Sequence, residues 1–175
     1  SSVVNISLLI FAIFAVLVGF FADNLYGLFA PGFDQESRAK IVELTRVLFI
    51  SQGFFVISYV LTGALESLKR FLVPAVAPLF YNLGIISGTI FLSPALGLWG
   101  PTIGVFFGAV LHFSIQIPLA MRLGFRFSPT IVINEDVKKI GRLAIPRMLE
   151  VSALQVSKTV ELFLASLISK ASYTY

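Results

Sequence analysis

The sequence predicts an all-α integral membrane protein, a polytopic bundle of transmembrane helices, and three observations carry that prediction. Of 175 residues, 57% belong to the apolar set and only 13% are charged, against about 25% charged in an average soluble domain. The whole stretch from Phe71 to Met121 contains no Asp, Glu, Lys or Arg, which no ordinary soluble core requires. The charges collect instead in short connectors between apolar runs, and with a net charge of +4 and a pI of about 9.6 this fits loops facing an anionic leaflet better than nucleic acid, which is not an expected partner. Cysteine is absent and histidine occurs once, so disulfides, thiolate chemistry and a multi-histidine metal centre are excluded.

A hydrocarbon core of about 30 Å takes roughly 20 apolar residues as a helix, and five runs qualify. The first is Ser1 to Ala22, ended by Asp23. The second, Val47 to Leu65, is closed by Arg46 and Glu66. The long uncharged stretch is a helical hairpin: its arms are Leu72 to Leu92 and Leu98 to Met121, broken at Ser93-Pro94-Ala95-Leu96-Gly97, with Trp99 beside the turn as an interfacial aromatic. The fifth run, Met148 to Ile168, contains Glu150, Lys158 and Glu161. Between the first two spans, Asp23 to Arg46 is amphipathic rather than spanning. Ile41, Leu44 and Val47 share one side and Pro31-Gly32 marks the break, as in an interfacial turn.

Lys and Arg set the orientation, because cytoplasmic loops retain them. The second and fourth connectors hold Lys69, Arg70, Arg122, Arg126, Lys138, Lys139, Arg142 and Arg147, eight residues, against Arg38, Lys40 and Arg46 in the first and none in the Pro94 turn. The second and fourth connectors are therefore cytoplasmic, and the first span runs from inside to outside. Ser1-Ser2-Val3-Val4 lacks the basic segment of a signal peptide, and Ser172-Tyr173-Thr174-Tyr175 follows a span directly, so the chain reads as a piece of a longer one.

Within the third span Pro74, Pro78 and Asn82 recur every fourth residue, which places them on one helix face. Pro78 predicts a kink through a lost backbone hydrogen bond. Gly100, Gly104 and Gly108 form a stripe that admits a close helix neighbour. His112 and Gln116 are again four apart, before Pro118. A histidine with no acidic neighbour in its span reads as a hydrogen-bonded packing residue rather than a proton carrier.

These strings together resemble the MurJ (MviN) family of lipid II flippases, within the multidrug/oligosaccharidyl-lipid/polysaccharide exporter superfamily. The matching pieces are Leu28-Phe29-Ala30-Pro31-Gly32-Phe33, Thr45-Arg46, Gly63-Ala64-Leu65 with Arg70-Phe71, Val73-Pro74-Ala75-Val76-Ala77-Pro78 with Asn82, and Gln116-Ile117-Pro118. The resemblance implies a fragment of a two-lobe exporter fold holding helices three to seven of fourteen. Residues 1–147 would be the last four helices of the N-terminal lobe with the cytoplasmic connector, and 148–175 the first helix of the C-terminal lobe.

By the same resemblance the chain is part of a transporter rather than an enzyme. It would carry undecaprenyl-linked peptidoglycan precursor, lipid II, from the inner to the outer leaflet of the bacterial cytoplasmic (inner) membrane by alternating access, for cell wall biosynthesis. Its partners would be lipid II, membrane lipids and the remaining helices of the full-length chain. The family's essential arginines and their acidic partner lie largely in its first, second and eighth helices, outside this chain. The transport-cavity candidates here are Asn82, Gln155, Lys158 and Glu161. A carboxylate at mid-span costs at least ~2.5 kcal/mol unless it faces protein or water. The resemblance sets Glu161 where some members carry a sodium-binding Asp and others Asn. Three readings stand side by side: cation coupling (sodium or proton) at Glu161, a self-neutralising Lys158–Glu161 pair, and cavity lining. No resident cofactor is expected.

An intramembrane transferase or protease needs a nucleophile with a base, or paired carboxylates, and His112 stands alone in the sequence. A related polysaccharide-lipid or drug exporter, or a non-catalytic membrane scaffold subunit, remains the alternative.

Overall fold

A computed structural model describes residues 1–29, 32 and 34–168. Among them every regular element is helical: α1 (Ser2–Phe29), α2 (Gln35–Ser67), α3 (Leu72–Ser87), a π-helical segment (Gly88–Leu92), α4 (Ser93–Leu96), α5 (Trp99–Ser114), α6 (Ile117–Arg122) and α7 (Glu135–Ile168). Pro31 of the expected break and the Ser172–Tyr175 tail lie outside the described residues.

Among the described residues four helical stretches are long and apolar enough to cross a membrane: Ser2–Leu28, Gln35–Ser67, Leu72–Leu96 and Trp99–Arg122. The chain is thus an all-α polytopic membrane fragment. These coincide with the first four of the five expected spans. The fifth run is helical through Ile168, but α7 begins at Glu135, inside the expected connector. The amphipathic turn is likewise no separate element, since Gln35 to Arg46 forms the opening turns of α2.

Two compact units make up the chain: Ser1–Val16 with Leu44–Ile131, and Leu17–Glu43 with Val132–Tyr175. In the first, the hairpin of α3 and α5 is the closest packing. Gly97, at φ +57°, makes the reversal that a residue with a Cβ resists, and Gly100 donates its N–H back to the Gly97 carbonyl at 3.0 Å. The expected glycine stripe meets glycines on the other arm. A Cβ added at Gly104 would lie 2.6 Å from the Gly84 carbonyl oxygen, and one added at Gly84 would strike the Gly108 Cα. Backbones touch here because no side chain stands between them. Helix α2 then packs on this hairpin through Phe54 against Phe106, ring centroids 5.8 Å apart, and Phe55 against Tyr81 at 5.0 Å. Lower down, Leu61 and Leu65 close on Ala120 of α6, flanked by Phe113 and Ile117.

Pro74, Pro78 and Asn82 do not share one environment: Pro74 is buried, while Pro78 and Asn82 are exposed. Each step of four residues rotates about 40° beyond a full turn, so eight residues carry Asn82 off the packed stripe that holds Pro74, Ala77 and Gly84. Helix α3 continues through Pro78, and a π-helical segment follows it at Gly88–Leu92.

In the second unit α2 starts on an Asp34 cap, whose carboxylate accepts from the Ser37 N–H at 3.2 Å and the Ser37 hydroxyl at 2.9 Å. Asn134 caps α7 in the same way, accepting from the Val137 N–H at 3.0 Å.

Candidate functional site

Two sets of polar side chains stand out in the apolar helices. The first is a buried seam in the first unit, where α2 meets α5 and α6. Ser58 and Thr62 lie four apart on α2; His112 is in the last turn of α5 and Gln116 precedes α6. The Ser58 and Thr62 face of α2 meets the junction of α5 and α6 that carries His112 and Gln116. Ser58 and Gln116 are wholly buried and His112 is 5% exposed. The Gln116 Nε2 donates to Ser58 Oγ at 2.6 Å and to the His112 carbonyl at 3.2 Å, while Thr62 Oγ1 donates to Gln116 Oε1 at 2.9 Å. Ser58 Oγ lies 2.7 Å from His112 Nδ1 and 3.5 Å from the His112 carbonyl. One lone pair of the Ser58 oxygen is taken by Gln116, and the same oxygen is hydrogen-bonded to the imidazole at Nδ1.

This corrects the expectation that His112 stands alone, since Ser58 pairs with it. The pair is still not a nucleophile and base. Ser58 is sealed from substrate, its oxygen is held by Gln116, and Phe55 and Tyr59 flank the ring with centroids at 5.0 and 6.2 Å. The seam docks helices. Ser58 and Thr62 escaped the sequence reading because single hydroxyls are common in spans; their four-residue spacing, matching that of His112 and Gln116, was the available signal.

The second set lies on α7, in the other unit. Gln155, Lys158 and Glu161 are exposed. Gln155 borders a concavity with Ser152, Thr159 and Phe163, and its carbonyl accepts from Thr159 Oγ1 at 3.0 Å. The ion pairs of α7 among the described residues are Lys138–Glu135 at 2.8 Å and Arg147–Glu150 at 2.6 Å, both exposed. Lys158 and Glu161 are not joined. Glu150 is therefore answered locally by Arg147, and Lys158 and Glu161 are left as separate charges on an otherwise apolar helix. Among the described residues no three His, Asp or Glu side chains cluster as a metal site. Asn82 belongs to the first unit, on the outer side of α3.

Comparison with known proteins bears on the whole length. A family model described as lipid II flippase MurJ matches residues 1–175. The probable lipid II flippase MurJ of Vibrio cholerae is 30% identical over 161 residues, covering 90% of this chain and 30% of that protein. The lipid II flippase MurJ of Burkholderia cenocepacia is 25% identical over 183 residues, 99% of this chain and 33% of its own. That of Thermosipho africanus is 33% identical over 113 residues, 65% and 24%. The chain spans about a third of the length of the curated relatives it matches. A four-span apolar helix set, a glycine-packed hairpin and a match from the first residue to the last make this chain a member of the lipid II flippase MurJ family.

Proposed function

We propose that the chain forms part of a flippase that moves lipid II from the inner to the outer leaflet of the bacterial cytoplasmic membrane, and that residues 1–147 and 148–175 belong to successive lobes. The observation that carries this reading is the family match over residues 1–175. The physical task is to pass a diphosphate-sugar-peptide headgroup through a layer where charge is costly, with no bond made or broken.

The first unit suits a lobe that moves as a body. Glycine backbones in contact leave no side-chain layer to deform, and the Ser58, His112, Gln116 and Thr62 seam fixes α2 against α5 and α6 through hydrogen bonds that have no water to replace them. Helix α7 supplies what a headgroup path needs: an amide at Gln155, a cation at Lys158 and a carboxylate at Glu161, each costly against lipid and therefore turned to protein or water. A coupling cation, sodium or a proton, would be held at Glu161.

Reconstitution of the full-length protein with labelled lipid II tests the reading. Lipid II should become accessible to an impermeant reagent on the far side of the vesicle at a rate well above protein-free controls. A folded, inserted protein that leaves lipid II in place, yet translocates another polyprenyl-diphosphate sugar, would assign it to a different exporter.

A further inference from the structure

One cation of the second unit is held in place without being answered. Arg38 stands in the first turn of α2 and is partly buried. Its guanidinium lies against the closing turns of α1, where a Cβ added at Gly27 would sit 2.9 Å from Nη1 and 3.7 Å from Cζ. Nε is the one buried side-chain nitrogen or oxygen among the described residues that has no hydrogen-bond partner. The two Nη nitrogens make no hydrogen bond or ion pair there either, and since they are not buried they reach the surface. The nearby carboxylates do not fill the gap. Asp34 accepts from Ser37, and Asp23, Glu36 and Glu43 are exposed and form no ion pair with Arg38. The C-terminal end of α1 attracts a cation, which accounts for the seat on Gly27. It leaves the five N–H donors of the guanidinium unused.

We infer that Arg38, seated on Gly27, is a binding site for a lipid phosphate, whose oxygens accept from the Nη nitrogens. Gly27 and Arg38 lie at the adjoining ends of the first two spans, the ends that the Lys and Arg count sets outside, and long cationic side chains at span ends reach for the headgroup layer. A planar fork of donors matches phosphate oxygens in pairs. The missing side chain at Gly27 lets the fork lie flat on the α1 backbone, so it is oriented before a ligand arrives. The phosphodiester of a bilayer phospholipid and the diphosphate of lipid II present the same oxygens; only the second source rests on the flippase reading.

The test titrates the full-length protein in detergent with phosphatidylglycerol, with lipid II and with phosphate-free diacylglycerol, counting bound lipid by native mass spectrometry. In Arg38→Gln the affinity for at least one of the two phosphate lipids should fall about tenfold, equivalent to ~1.4 kcal/mol, with diacylglycerol binding unchanged. Arg38→Lys, which keeps the charge and loses the fork, should fall less. Gly27→Ala should also weaken binding, because its methyl meets only the flexible end of Arg38 and moves the guanidinium off its seat without removing the charge. A loss confined to phosphatidylglycerol identifies a bilayer phosphate; a loss confined to lipid II identifies the substrate diphosphate. Unchanged affinity for both in Arg38→Gln would overturn the inference, and a lowered unfolding midpoint of that variant without lipid would then assign the guanidinium to a carboxylate elsewhere in the full-length chain. Unchanged binding in Gly27→Ala beside a loss in Arg38→Gln would overturn the seated site in favour of a loose surface charge. A wild type that binds phosphatidylglycerol through Arg38 yet does not flip lipid II would remove the flippase reading and leave the site standing.

Discussion

Gly84→Ala puts the glycine contact to a direct test. A methyl at this position would strike the Gly108 Cα and lie 2.6 Å from the Gly108 nitrogen and 2.8 Å from the Gly104 oxygen, where ordinary contact begins at 3.4 Å. All three obstacles are backbone, so no side chain can swing aside. The α5 backbone would have to withdraw by roughly 0.6–1 Å, and a gap of that order forfeits about a quarter to a half of the dispersion attraction along the contact. The expected cost is about 1–3 kcal/mol, as for overpacking in a dense core. Gly63→Ala is the control: nothing lies within 4 Å of the added methyl, and alanine is the better helix former by up to ~1 kcal/mol. Denaturant unfolding of the two full-length variants in detergent should show a lowered midpoint for Gly84→Ala and an unchanged or raised one for Gly63→Ala. Equal midpoints would mean that α3 and α5 are not in backbone contact, and the account of the hairpin would fail.

Gln116→Leu removes both interhelical bonds of the glutamine and leaves the Thr62 hydroxyl to find another acceptor. At about 0.6 kcal/mol per bond and at most ~1.7, a loss of roughly 1–3 kcal/mol is expected by the same unfolding assay, with Gln116→Glu no better because the carboxylate cannot donate to Ser58. In the full-length protein Glu161→Ala should impair flipping, Glu161→Asp less so, and growth on Glu161→Leu equal to wild type would exclude an interior role. If Lys158→Ala restores flipping to Glu161→Ala, mutual neutralisation of the two charges explains them instead. For topology, a cysteine at Gly97 should react with an impermeant reagent in intact cells and one at Asn134 should not; the reverse pattern would invert the orientation read from Lys and Arg.

Spans and hairpin were legible because charge is so costly in hydrocarbon that its absence from Phe71 to Met121 leaves little freedom, and Gly97 marks the one place where the chain turns. The stripe on α5 was equally visible. Its partners Gly84 and Gly88 were not singled out, since two glycines four apart on α3 say nothing of which helix they will meet. The seam was half legible for the same reason: His112 and Gln116 were noted, but Ser58 and Thr62 gain meaning only once α2 is known to lie beside them. Helix α7 resisted division because a connector rich in Lys and Arg and an apolar run were weighed separately, whereas the backbone passes from one to the other without a break. Nothing in Gly88-Thr89-Ile90-Phe91-Leu92 announced a π-helical segment.

The seam also bears on the order in which the chain enters the membrane. Ser58 and Thr62 are synthesised some fifty residues before His112 and Gln116, a delay of several seconds at about 5–20 residues per second. During that interval α2 stands in or beside lipid without its partners. Hydroxyls tolerate the wait, because each can turn to the carbonyl four residues back in its own helix, as Ser51 does with Val47 at 3.2 Å. An imidazole has no such local refuge, and the amide of Gln116 reaches only the His112 carbonyl. The two groups most costly to leave unpaired in hydrocarbon therefore reach the bilayer last, when their acceptors and donors are already in place. Exchanging the pairs, with His and Gln on α2 and Ser and Thr on the later helices, would keep the folded seam chemically equivalent yet leave the early helix with polar groups unanswered while it waits.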